Sequence, residues 1–330
     1  MRYKPSGEGG GLAPWIEALE SGEGEPQEAA LGRLGPVEGL ETPVMNPVMK
    51  KSSPNLLKAI RKSRQEVESG SAPNGFEVEY QGSGIPVENL PVFEETGEEV
   101  PRRLSASAAA ALAPRTLVAE EFRMLRVKVR NIGEERLFRC VGLISSAACE
   151  GKTTMSLGLA AAMAHEPNRR VLLIEADLRK PSIDGHLGIP HAPGLGDWLA
   201  RSGNQPVPLR LLRPHGFFLL SAGTEAVWGE NPERLGSERM AALLQAARRY
   251  FDFVVVDCPP LIPVADSVIL QDMLDGFLFV VRARHAPRET ILRALSHLKA
   301  DRVQGVVFND CHELLPNYFN FGYRQYGDYK

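Results

Sequence analysis

The segment that most limits what this chain can become is an apolar run, Cys140-Val141-Gly142-Leu143-Ile144, that leads straight into Ser145-Ser146-Ala147-Ala148-Cys149-Glu150-Gly151-Lys152-Thr153-Thr154. The run reads as a buried strand, the small residues after it as a tight loop, and the residues from Lys152 onward as a helix. Such a strand–loop–helix aims backbone N–H groups and a helix N-terminus at one point, which makes an anion site. Lys152 is spaced to reach the β- and γ-phosphates of a nucleotide, and the Thr153 hydroxyl to bind Mg²⁺. Ser146, Ala148, Cys149, Glu150, Gly151 and Thr154 complete the predicted cradle, with ATP and Mg²⁺ as cofactors. The usual pattern opens on Gly where Ser146 stands, and Cys149 also occupies a position where Gly is common.

Around this loop, apolar runs alternate with amphipathic segments. Residues 138–145, 170–176, 217–221, 253–257, 277–282 and 305–309 read as buried strands; 152–165, 237–249 and 288–299 read as helices. Strands that are apolar throughout and separated by helices predict an α/β fold, a mostly parallel sheet with helices on both faces.

Two of the strands end in acids. Val171–Ile174 runs into Glu175-Ala176-Asp177, whose acids at i and i+2 are predicted to point to one side of the sheet; Phe253–Val256 ends in Asp257. Open α/β sheets bind ligands at the carboxyl ends of their strands. Asp177 and Asp257 are therefore predicted to hold Mg²⁺, directly or through water. Either Glu175 or Asp177 is placed to accept a proton from an attacking hydroxyl. Lys152, Glu175, Asp177 and Asp257 form the predicted catalytic set.

The first 100 residues differ in texture, with 14 Gly, 10 Pro and 17 Glu against 9 Lys/Arg. Such a segment buries too little apolar surface to offset its ordering entropy. Residues 1–114 are accordingly expected to be disordered, with 102–114 as an Ala/Ser-rich linker. A domain over 115–312 and a flexible tail over 313–330 follow. Residues 14–19 and 54–68 have helical spacing and read as transient helices or docking peptides. The remaining 230 residues carry 29 Lys/Arg against 24 acids, too even a balance to suggest nucleic acid. Cys140, Cys149, Cys258 and Cys311 form no CxxC pair and read as reduced thiols. Met1–Pro5 lacks the apolar stretch of a signal peptide, and no run approaches the ~20 apolar residues that span a bilayer. A cytoplasmic location is expected, with any membrane role supplied by a partner.

Glu175-Ala176-Asp177-Leu178-Arg179-Lys180-Pro181 resembles the second Walker A-type motif of the bacterial tyrosine kinases, and Phe251–Pro260 resembles their Walker B segment. Asn231–Ser237, Pro263–Ser267 and Gly305–Asn309 match the same family, so the resemblance runs from about Val118 to the end. It implies a P-loop NTPase fold of the MinD/ParA-like type and places Arg179 and Asn309 among the nucleotide-binding residues. The related cell-division and plasmid-partition ATPases carry a signature Lys where Ala147 stands here, and its absence favours the kinases.

Tyr318, Tyr323, Tyr326 and Tyr329, four of the chain's seven tyrosines, fall in its last thirteen residues. Interleaved with Gly, Asn, Arg and Asp they read as an exposed tail, and the resemblance implies that they are phosphoacceptors. Glu120, Arg123 and Arg126 lie at i, i+3 and i+6 beside an apolar stripe of Phe122, Leu125 and Val129. This Glu-x-x-Arg-x-x-Arg is similar to the family's subunit-interface motif and implies a homo-oligomeric ring that presents one tail to the next subunit. The resemblance thus implies an autokinase acting in trans on its tyrosine cluster to regulate capsular or exopolysaccharide polymerisation and export. A separate transmembrane activator of the polysaccharide co-polymerase type and a protein-tyrosine phosphatase are the implied partners, at the inner face of the membrane. Most members carry Asp where this chain has Glu175, and displacements of about 1 Å can cost on the order of 100-fold in rate. A catalytically weak, nucleotide-gated scaffold is the alternative.

Overall fold

The computed structural model describes residues 2–5, 90–100, 104–135, 138–224, 232–263 and 266–310. Strands β3 (Cys140–Ser145), β4 (Val171–Glu175) and β7 (Phe253–Asp257) are buried at every residue, as unbroken apolar runs require. With β1 (Arg2–Pro5), β2 (Phe93–Glu99), β5 (Val207–Arg213), β6 (Phe217–Leu220), β8 (Gly276–Arg282) and β9 (Val303–Asn309) they form one sheet. Its order is β1-β9-β8-β3-β7-β4-β6-β5-β2. The β1–β9 and β5–β6 pairs are antiparallel and the other pairs parallel. Register sets Leu143 and Glu175 on either side of Asp257, so the carboxyl ends of β3, β7 and β4 open together.

Helices cover both faces. Cys140, Ile144, Leu172 and Val256 face a layer with α5 (Leu195–Ala200), α6 (Glu238–Tyr250), α7 (Asp266–Leu270) and α8 (Arg288–Leu295). Val141, Leu143, Leu173 and Val255 face the opposite layer, with α1 (Ala106–Leu112), α2 (Leu117–Glu135), α3 (Lys152–Ala164) and α4 (Ile183–Leu187). The predicted α/β sandwich is what forms. Within it, α2 is seated on α3 by a glycine: a Cβ at position 158 would come 2.1 Å from the ring of Phe122, which is buried. Gly158→Ala is therefore expected to be net destabilising. Overpacking costs about 1–3 kcal/mol against a helix-propensity gain of about 1 kcal/mol. Chemical denaturation measures the sum, and an unchanged stability would show that α2 shifts freely.

The expectation of disorder through residue 114 is corrected at three places, the first being β1, which pairs with β9 along Arg2–Pro5. Residues 102–114 are not all linker, because Ser105 caps α1 by accepting from Ala108 N and the helix buries Ala108, Ala111 and Leu112. Alanine gives up little side-chain entropy on packing, so a segment that reads as linker docks at low cost. Strand β2 escapes a hydrophobicity reading because Glu94, Glu95, Glu98 and Glu99 crowd an exposed edge, where charge is an advantage. Strand β5 is a further addition: Pro208, Arg210 and Arg213 break its apolar pattern, and Arg210 is buried only because it pairs with Asp184. Residues 14–19, 54–68 and the tail from 313 lie outside the described residues. Among the described residues, no helix is long and apolar enough to cross a membrane.

Candidate active site

The loop from β3 to α3 closes on Gly151, which has φ +90° and caps α3 without a side-chain hydrogen bond; no acid lies in the helix's first turn. The first N–H groups of α3 are left for an anion. Gly151 is required twice over, by its left-handed φ and because a Cβ there would meet Asn309 Nδ2 at 2.1 Å. Lys152 is buried, its Nζ donating to Ser145 Oγ at 3.1 Å. Thr153 Oγ1 donates to Asp257 Oδ2 at 2.8 Å, and Ser156 Oγ donates to Oδ1 at 3.0 Å. Asp257 is 1% exposed. Burial pushes its carboxyl up to about 6, against the opposing pull of Lys152 and the two hydroxyls. The hydroxyl and carboxylate oxygens of Thr153 and Asp257 are hard donors, and they sit beside a lysine and an uncapped helix end. That donor set fits a magnesium–nucleotide complex.

Asp177 lies beyond the end of β4, half-buried, with Oδ1 accepting from Lys180 N at 3.1 Å. Burial raises its pKa, while the Lys180 N–H and the Lys152 charge lower it. Strand β4 ends at Glu175, Ala176 N donates to Asp257 O in the last ladder bond to β7, and Asp177 stands just beyond it. Glu175 is 1% exposed and its oxygens are already engaged. Oε1 accepts from Ser182 N at 2.5 Å and Ile183 N at 2.8 Å, and Oε2 accepts from Ala222 N at 3.1 Å. The carboxylate ties the start of α4 to the exit of β6. Burial outweighs those three bonds and pushes its pKa up to about 7.

Other predicted site residues take positions of their own. Arg179 forks onto Asp266, Nε to Oδ2 at 2.6 Å and Nη2 to Oδ1 at 3.3 Å, rather than toward the loop. The Glu150 side chain lies beneath the loop: Oε2 accepts from Ser146 Oγ at 2.8 Å and Ala147 N at 2.7 Å. Ser146, standing in for glycine, is thereby part of a brace with the Glu150 carboxylate. Cys149 is exposed with φ +63°, and Thr154 sits in the first turn of α3. On α2, Glu120 pairs with Arg123, while Arg126 Nη1 donates to Ala162 O at 3.0 Å, at the far end of α3. The four tail tyrosines lie outside the described residues. Ser145, Ser156 and Asp266 were not singled out from sequence. Ser156 had a usable signal, since it follows Thr153 by three residues and so shares its helix face.

A phosphate loop at the end of a central strand, backed by an acid on the neighbouring strand, defines a P-loop nucleotide-binding domain. No family model matches the chain. It is 27% identical over 224 residues to the tyrosine-protein kinase YwqD of Bacillus subtilis, covering 67% of this chain and 92% of that protein. It is 32% identical over 208 residues to the succinoglycan biosynthesis transport protein ExoP of Rhizobium meliloti, covering 61% of this chain but only 26% of that protein. Among solved structures, the BceF tyrosine kinase domain superposes with a TM-score of 0.54 at 28% identity, covering 61% of this chain and 81% of that one. The resemblance to the bacterial tyrosine kinases carried by the motifs holds in both sequence and fold.

Proposed function

We propose that this chain is an ATP-dependent protein-tyrosine autokinase that phosphorylates its own C-terminal tyrosine cluster in trans and so regulates capsular or exopolysaccharide assembly. The observation that carries the reading is the convergence of Lys152, Thr153 and Asp257 at the uncapped start of α3, in a chain whose relatives are named as tyrosine kinases. Bound Mg-ATP supplies the phosphoryl group and the metal charge. The loop's N–H groups orient the phosphates, Lys152 offsets their charge, and Thr153 and Asp257 hold the ion, with Asp177 beside them. Asp177, rather than the fully engaged Glu175, receives the tyrosine proton. In this reading residues 115–312 are the kinase domain, with β2 and α1 packed onto it, and Tyr318, Tyr323, Tyr326 and Tyr329 are the acceptors. Glu120, Arg123 and Arg126 belong to the ring interface. A transmembrane co-polymerase-type activator holds the ring at the inner membrane face, and a tyrosine phosphatase reverses the reaction. A nucleotide-gated scaffold is the second reading, favoured by the engagement of both Glu175 oxygens away from the loop.

Incubating the full chain with Mg-ATP, with and without the activator's cytoplasmic segment, tests the proposal by phosphotyrosine mapping. Phosphate is expected on the tail tyrosines and is lost in Lys152→Met. Nucleotide binding without phosphotyrosine, activator present, would leave the scaffold.

A further inference from the structure

Three side chains from the carboxyl ends of β8 and β9 contact three consecutive carbonyls of the phosphate loop. His285 Nε2 lies 2.8 Å from Ala148 O, Arg282 Nη1 lies 3.3 Å from Cys149 O, and Asn309 Nδ2 lies 3.0 Å from Glu150 O. A loop that turns its N–H groups inward to phosphate turns carbonyls outward, and fixed donors on those carbonyls hold its curvature. The support is needed here, because Cys149 takes a left-handed φ of +63° in place of the usual glycine. Arg284 (φ +58°) and Asp310 (φ +56°) make the same turn in the two segments that deliver the donors. Three of the five non-glycine residues with positive φ among the described residues therefore meet at this contact.

Arg282 has a second partner. Its Nε and Nη2 lie 3.0 and 2.9 Å from Asp310 Oδ2. Asp310 is the last described residue before the segment that carries Tyr318 to Tyr329. We propose that Arg282 is a positioning residue that couples the phosphate loop to the root of the tyrosine tail. The Asp310 carboxylate aims the guanidinium, and the guanidinium holds the Cys149 carbonyl. When the tail root moves away, Arg282 loses its guide and the loop loses one of its three outer supports. By linkage, nucleotide that orders the loop favours the Arg282–Asp310 pair by the same factor. The inference rests on the reading of this loop as a nucleotide site.

The test is a double-mutant cycle on the full chain, titrating a fluorescent ADP analogue with Mg²⁺. Arg282→Gln and Asp310→Asn are each expected to weaken affinity about fivefold, as the loss of a partly exposed charged hydrogen bond would. The double variant should bind no more weakly than Arg282→Gln alone. Arg282→Lys keeps the charge but not the two-way fork, so it should recover only part of the loss. A bystander surface role would leave all four affinities equal. The nucleotide-free thermal midpoint is expected to stay within about 2 °C, since both groups are partly exposed. Additive losses in the double variant, or unchanged affinity in either single one, overturn the coupling while the nucleotide site stands. Absence of binding by the unaltered protein overturns the proposed function and the coupling together.

Discussion

Asp257→Asn is expected to lower phosphate transfer to the tail tyrosines by about two to three orders of magnitude, the scale of losing a charge that acts on the metal and the transferring group. The substitution keeps the shape of the side chain and one acceptor oxygen, so either the Thr153 or the Ser156 hydroxyl stays bonded. Stability should move the other way. The folded-state pKa of about 6 lies above the ordinary aspartate value of 3.8. Between those values the folded protein holds more protons than the unfolded chain, so the ionised group subtracts stability as pH rises toward 6, and the full penalty persists above it. At pH 8, nucleotide-free Asp257→Asn should therefore be at least as stable as the unaltered protein. Mg-ADP should raise the unfolding midpoint of the unaltered protein and leave that of the variant nearly unmoved. A variant that transfers phosphate at the normal rate would place the chemistry somewhere other than the end of β7.

The fold was legible where one physical signal dominated. Unbroken runs such as Val254-Val255-Val256 announce strands buried on both faces, and β3, β4 and β7 form there. Strands β5 and β2 were hidden because each depends on a distant partner. Arg210 is tolerable inside β5 only with Asp184 beside it, and the glutamates of β2 belong on an edge that sequence alone does not locate. The site divides in the same way. Lys152, Thr153 and Asp257 follow from loop spacing and strand ends, which are local properties. The contacts of Glu175 with Ser182, Ile183 and Ala222 arise from where α4 begins and β6 ends. The fork of Arg179 on Asp266 joins residues 87 apart. In a sequence a strand-end acid looks the same whether it faces a phosphate or a set of backbone N–H groups.

Glu175→Asp separates those two possibilities. If Glu175 were a displaced base, shortening it to aspartate would raise activity. The geometry predicts the opposite: no gain in phosphorylation and a loss of about 2–4 kcal/mol in stability. Removing a methylene draws the carboxylate back by about 1.5 Å, so it no longer spans Ser182 N, Ile183 N and Ala222 N. Each buried N–H left unpaired costs about 1–3 kcal/mol. Glu175→Gln supplies a pH signature, since the amide does not titrate and its NH₂ faces a backbone N–H. The Glu175 pKa is raised from 4.5 to about 7 on folding. As pH rises through that window the unaltered protein loses stability that the Gln variant does not. The stability gap between them should be widest below pH 4.5 and narrow by on the order of 3 kcal/mol by pH 8. Urea unfolding at four pH values measures it. A constant gap would mean that the three N–H groups keep the carboxylate ionised throughout. A Glu175→Asp protein with normal stability and faster phosphorylation would return Glu175 to the role of base and leave Asp177 to the metal.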